Sequence, residues 1–310
     1  MIPRSHRLLP ASHAALLRRV IRLEITTVVL MAAVAAMMAL VAGQSQAMKT
    51  AWIEDLLSLV PPISFLVAAR FARKGPDAEY INGRARAYNV AFVVSAVALT
   101  GVGLGLVFDG LHVLVTGTRP TIGAIAIGDA LVWQGWLMMA ALALSCIPPV
   151  VLGRIKLPLA RELHLKSLHT DADTNKADWM TGLAGMAGVG GIALGWWWAD
   201  AVAALVISGS VLRDGAFNLR HAIRDLHDAR PETVERGGPD PLVDRVREAV
   251  AALDWVSDCE VRLHEEGMQL IGVLAVRPIG GTVTRERLRE AEQVARATNW
   301  RVDDVTATLS

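Results

Sequence analysis

The stretch Asp171 to Asp200, DADTNKADWMTGLAGMAGVGGIALGWWWAD, decides the fold. From Trp179 onward it is apolar, with Gly and Ala throughout, and long enough as a helix to cross a bilayer. Three carboxylates stand at its head: Asp171, Asp173 and Asp178. An ionisable group at membrane depth costs several kcal/mol and marks a functional site by default. A solvated helix N-terminus also collects acids, because the helix dipole favours negative charge there. Asp171 and Asp173 are read in that second way. Asp178 lies a full turn further in, where the apolar run begins, and is read as functional.

Composition agrees with a membrane chain. Of 310 residues, 53% are hydrophobic, the mean hydropathy is +0.39, and the apolar residues fall in long runs. The formal net charge of +1 leaves no nucleic-acid footprint. The two cysteines, Cys146 and Cys259, lie in unlike segments, which argues against a disulfide framework or a thiolate zinc site. Cys146 reads as a small buried hydrophobe.

Working outward, residues 1–21 form a basic segment, with Arg4, Arg7, Arg18 and Arg19. Small residues at GQSQA invite a signal-peptide reading, but the apolar run Ile25 to Ala42 is longer than an ordinary signal core and is read as a first span. A second span is expected over Ala51 to Ala69, with Glu54, Asp55 and Ser58 early and a kink at Pro61 and Pro62. The third covers Ala87 to Val107, followed by a turn in DGLHVLVTGTRPT; the fourth covers Ile122 to Leu152, with Asp129 near its start. The opening stretch is the fifth, and the sixth runs from Trp198 to Leu212. Lys and Arg collect at the N-terminus, in the 2–3 and 4–5 loops and after the sixth span. The positive-inside rule therefore puts both termini in the cytoplasm, with Trp196, Trp197 and Trp198 at the outer interface. The six-helix region is expected over 22–229.

Residues 230–310 are soluble in character. PLVDRVREAVAALDWV has helical spacing, two strands flank Glu266–Gly267, TRERLREAEQVARATNW is an amphipathic helix, and RVDDVTATL is a last strand. This predicts a cytoplasmic αββαβ module of the ferredoxin-like kind, of about 75 residues, a size that favours a dimer partner.

Six spans, cytoplasmic termini and this tail resemble the cation diffusion facilitator family. DADTNKADWMTG and, one helix length later, WADAVAAL match its fifth- and sixth-span pattern, placing Asp178 and Asp200 on the family aspartates. NGRARAY (Asn82 to Tyr88) is a weakened form of its 2–3 loop signature, and TGTRPT echoes its turn after the third span. The resemblance implies no enzyme but a homodimeric carrier of a divalent cation, exchanged for protons by alternating access in a bacterial inner membrane. It implies no tightly bound cofactor.

The family site is two residue pairs, each four apart, on the second and fifth spans. Residues i and i+4 share a helix face, so two pairs can converge on one cation. The matching positions are Glu54 and Ser58, and Thr174 and Asp178. Where the family carries Asp pairs and a His, this chain has two carboxylates and two hydroxyls. An all-oxygen set suits manganese, ferrous iron or magnesium better than zinc. Asp55, rotated about 100° from Glu54, and Asp173 are auxiliary candidates. His169 with Asp173 is read as a decoy, with His169 in a cytoplasmic loop. Lys176 pairing with Asp173, and Glu54 reaching the outer interface, are the structural alternatives. Arg84, Arg86, Asp225 and Asp228 resemble the family's charge interlock at the dimer seam; exposed pairs worth little are the alternative there. A regulatory metal site in the tail is not expected, since His264 is the one histidine there. The missing His and Asp also leave open a transport-inactive paralogue that partners an intact carrier.

Overall fold

A computed structural model describes residues 9–119, 121–127, 130–280 and 283–310, without the side chains of 125–127, 130, 173, 174 and 176–178. Asp129 therefore lies outside the described residues.

Among the described residues, five helical rods are long and apolar enough to cross a membrane: Ala11–Val41, Gln46–Ala72, Ala87–Thr116, Gln134–Leu163 and Ala199–Leu226. Trp179–Ala193 is a shorter apolar helix. The first rod is α1. The second is broken into α2 (Gln46–Leu57) and α3 (Val60–Ala72). Pro61 and Pro62 stand in the first turn of α3 and supply no N–H to the preceding turn, so the ladder is interrupted at Ser58–Leu59.

The third rod, α4 (Ala87–Thr116), runs well past the expected turn at Asp109–Gly110. The stop is instead Gly117, left-handed at φ 66°, whose N–H returns to Val113 O. Gly110 serves as a packing notch: a Cβ there would meet the Leu205 side chain at 2.8 Å. The fourth rod begins later than Ile122. Ala124–Ile127 (β1) and Ala130–Trp133 (β2) pair antiparallel, and helix starts only at Gln134. Periodicity over so short an apolar run does not separate strand from helix. The rod itself is α5 (Gln134–Ser145) and α6 (Ile147–Leu163), offset at Cys146 ahead of Pro148 and Pro149.

Helix α7 (Lys166–Ala193) starts before the acidic stretch, not after it. Asp171 and His169 are thus inside a helix and buried, the first not solvated and the second not in a loop. Helix α8 (Ala199–Leu226) packs along α4 at glycine notches, where Cβ atoms on Gly103 and Gly215 would meet backbone at 2.9 and 2.6 Å. At its N-terminal end, Asp200 is fully buried and caps α2. It accepts from Ser45 Oγ at 2.6 Å and from the N–H groups of Gln46 and Ala47.

The C-terminal domain is α9 (Pro241–Ala251), β3 (Val256–Glu266), β4 (Gln269–Pro278), α10 (Arg285–Thr298) and β5 (Val302–Leu309). Sheet order is β3-β4-β5, with β3 antiparallel and β5 parallel to β4. The inward residues of both helices and all three strands, among them Val246, Leu263, Leu270, Leu274, Ala291 and Val302, make one core. The β3–β4 turn docks on the helical domain. Met268 joins the core of Phe65, Tyr88, Leu159 and Leu163, and Gly267 N donates to Asn89 Oδ1 at 3.0 Å.

Candidate cation site

The break after α2 leaves Glu54 and Ser58 facing a cavity of about 280 Å³ between α2, α3, α4, α7 and α8. Its polar lining includes Glu54, Ser58, Asp171, Asn175, Thr181 and Asp214. The lining extends to Tyr88 and Asn218, at the end of the bundle where the C-terminal sheet docks. Glu54 is hydrogen-bonded to Thr181, and the Asp55 and Asp214 carboxylates act on it electrostatically. Ser58 Oγ donates to Glu54 O at 3.1 Å, so the hydroxyl oxygen keeps its lone pairs as acceptors.

Asp55, offset by about 100° from Glu54, does not line that cavity. It lines an adjoining pocket of about 20 Å³ with Glu54, Ser145, Cys146 and Thr181, so Glu54 and Thr181 border both, and its Oδ2 is buried without a hydrogen bond. Thr174, Asp178 and Asp173 lie on α7 by their backbones, but their side chains are outside the described residues; the same holds for Lys176.

Sequence reasoning missed two features here. Asp214 lies on α8 two residues beyond the expected end of the sixth span, and would have been found had the helical period been followed past Leu212. The second is a buried triad. Lys156 Nζ donates to Asp171 Oδ2 at 2.7 Å and to Glu24 Oε2 at 3.1 Å, and Asn175 Nδ2 reaches Asp171 Oδ2 at 3.4 Å. Lys156 and Glu24 are 0% and 1% exposed, so this charge is compensated inside the protein. Both acids also line the cavity wall.

The seam residues divide. Arg86 pairs with Asp228 at 3.2 Å and with Glu266 at 3.4 Å, joining the two domains within one chain. Arg84 binds Asp77 and stacks on Tyr80. Asp225 takes Lys166 at 3.5 Å. At the far end of the bundle Trp196 and Trp198 stack with centroids 6.1 Å apart, and Arg119 lies over Trp197.

A family model described as the cation efflux transmembrane domain matches residues 23–227. The chain belongs to the cation diffusion facilitator family. The matched range covers every helix around the cavity, so the transporter is an integral membrane protein that moves metal cations, not an enzyme. No curated protein shows significant similarity to the chain. In this facilitator the cavity offers carboxylate and hydroxyl oxygens from α2, α7 and α8, which is a hard-cation donor set.

Proposed function

We propose that the protein exports a hard divalent cation, manganese, ferrous iron or magnesium in preference to zinc, in exchange for protons. The observation that carries this reading is the shared wall. Glu54 and Ser58 face one cavity together with Thr181 and Asp214, at the depth where the second rod is broken. Helical periodicity sets positions 174 and 178 on the same stripe of α7 as Asp171 and Thr181, which line that cavity. The cavity extends toward the C-terminal domain, which fits an inward-facing carrier loading from the cytoplasm. Transport then requires the wall of α1, α2–α3, α5–α6 and α7 to rock against α4 and α8 around a fixed site. Proton exchange is assigned to the carboxylates of Glu54 and Asp178, the ionisable members of that set.

The same reading counts α7 as the fifth of six spans and puts both termini in the cytoplasm of a bacterial inner-membrane protein. It assigns 1–21 to a basic lead, 22–229 to the transport domain and 230–310 to a cytoplasmic dimerisation domain of the ferredoxin-like kind. The cation is substrate, and no resident cofactor is needed. Flux into liposomes carrying a pH gradient tests it, with manganese, ferrous iron, magnesium and zinc each offered. Manganese or iron flux is expected, lowered at least about tenfold by Glu54→Gln, as removal of one charged ligand requires, and to a similar degree by Asp214→Asn. Absence of flux for every ion, with no effect of Asp178→Ala on any phenotype, would overturn the carrier and leave a transport-inactive partner.

A further inference from the structure

We propose that Lys156 is a tethered cation: its ammonium fills a second cation subsite in the wall of the transport cavity, made by Glu24 and Asp171 with Asn175, and so limits the carrier to one divalent cation at a time. The subsite is drawn from three helices. Glu24 lies on α1, Lys156 on α6, and Asp171 and Asn175 one turn apart on α7. Lys156 Nζ stands 2.7 Å from Asp171 Oδ2 and 3.1 Å from both carboxylate oxygens of Glu24. Three carboxylate oxygens from two helices thus surround one positive centre, as oxygen ligands surround a bound hard cation. The ammonium comes from behind. Glu24, Asp171 and Asn175 line the cavity, whereas Lys156 is fully buried and does not.

A purely structural ion pair leaves two features unexplained. A buried ion cluster is poor scaffolding, because well-packed apolar side chains of the same volume often hold helices at least as well. Here both acids open on the cavity rather than on a dry helix seam. The acceptors also exceed the hydrogen bonds made. Glu24 is buried, yet its Oε1 accepts none: the ammonium lies in ion-pair range of that oxygen but outside hydrogen-bond geometry. Buried polar atoms are nearly always paired. The two carboxylates therefore hold oxygen that a guest of higher charge would use.

Position makes the occupant matter to transport. Asp171 stands one turn before position 174 on α7, on the stripe that continues to Thr181. A divalent cation held between Glu24 and Asp171 would sit beside the carrier's own load and repel it where little water screens the charge. An ammonium fixed to the chain prevents that. Its stem is rooted in α6, so it stays in place through the cycle, and the tether raises its effective concentration at the two acids. It carries a single charge, and its occupancy keeps a second divalent ion out. The limit on load rests on the carrier reading above; the filling of the subsite by Lys156 does not.

Removing the tethered charge should open the subsite. Manganese bound to tag-free, full-length protein in detergent is counted per protomer by equilibrium dialysis and metal analysis. Lys156→Gln keeps a long side chain with a hydrogen-bond donor and loses the charge; it is expected to bind one manganese more than its parent. The extra ion should persist when Glu54→Gln is added and disappear when Glu24→Gln and Asp171→Asn are added. Lys156→Arg restores the charge and should bind no more than the parent. Manganese should also raise the thermal midpoint of Lys156→Gln more than that of the parent, which loss of a structural ion pair alone does not produce. Lys156→Met repeats the count if the Gln variant does not fold. An unchanged count in a folded variant, an extra manganese that survives loss of both acids, or failure of both variants to fold even in excess manganese would overturn the tethered cation. Each variant is compared with its own parent, so the count stands whether or not the parent binds manganese at Glu54. Failure of the carrier reading shows separately, as absence of flux.

Discussion

Lys156 shows how burial changes the meaning of a residue. Read along the chain it is one cation of a basic loop, and Asp171 one acid of a helix head. Folded, they neutralise each other at 2.7 Å with Glu24 on the other side. Lys156→Met leaves two acids facing each other without a cation. It is expected to cost about 3–5 kcal/mol, measured as a fall in thermal midpoint in detergent. Adding Glu24→Gln and Asp171→Asn should recover most of that loss, because the penalty belongs to uncompensated charge. Cys259 gives a second residue-scale expectation. Burial, and then the nearby Asp258 carboxylate, push its thiol up to about 11. The thiolate is the reactive form, so at pH 8 alkylation should run about two hundredfold slower than for a free thiol near 8.5. It should accelerate as pH rises toward 11, in a Cys146→Ala background followed by mass spectrometry. Glu54 and Ser58 were legible as a pair because i, i+4 spacing fixes a shared face whatever the tertiary fold. Asp214 was not, because its relevance depends on which helix stands opposite.

At the scale of elements, the close contact of α4 and α8 rests on absent side chains. A Cβ on Gly215 would lie 2.6 Å from Thr100 N, whereas one on Gly209 meets nothing within 4 Å. Gly215→Ala is therefore expected to destabilise by about 1–3 kcal/mol through forced separation of the helices. Gly209→Ala should be neutral or slightly stabilising, since Ala is the better helix former; thermal midpoints of the two variants make the comparison. Sequence pattern located these rods but misjudged their ends. The α4 terminus depended on which of two glycines becomes a cap and which a notch. The late start of α5 depended on a hairpin whose apolar residues have no helical or strand period long enough to read. The break between α2 and α3 was legible, because proline removes a donor regardless of context.

The whole molecule is held together where the β3–β4 turn enters the base of the bundle. Met268 is 9% exposed among apolar residues of α3, α4 and α6, and Gly267 at φ 63° lets the backbone approach Ala85. Met268→Asp should undock the C-terminal domain, read as faster proteolysis between 227 and 240 while the thermal transition of the helical domain stays in place. An unchanged digestion rate would assign the docking to the Arg86 pairs instead, exposed contacts that are worth at most about 1 kcal/mol each. The sequence by itself determined the membrane class, the order of the apolar rods, the αββαβ tail and the Glu54–Ser58 face, because hydropathy, period and proline act locally. Tertiary structure alone decided that Asp200 caps α2, that Asp171 is neutralised by Lys156, that Asp214 shares a cavity wall with Glu54, and that Met268 is buried against Phe65 and Tyr88. Those four outcomes are contacts across more than a dozen residues of chain, and their energies depend on burial and on the charge opposite, quantities that exist only once the helices have packed.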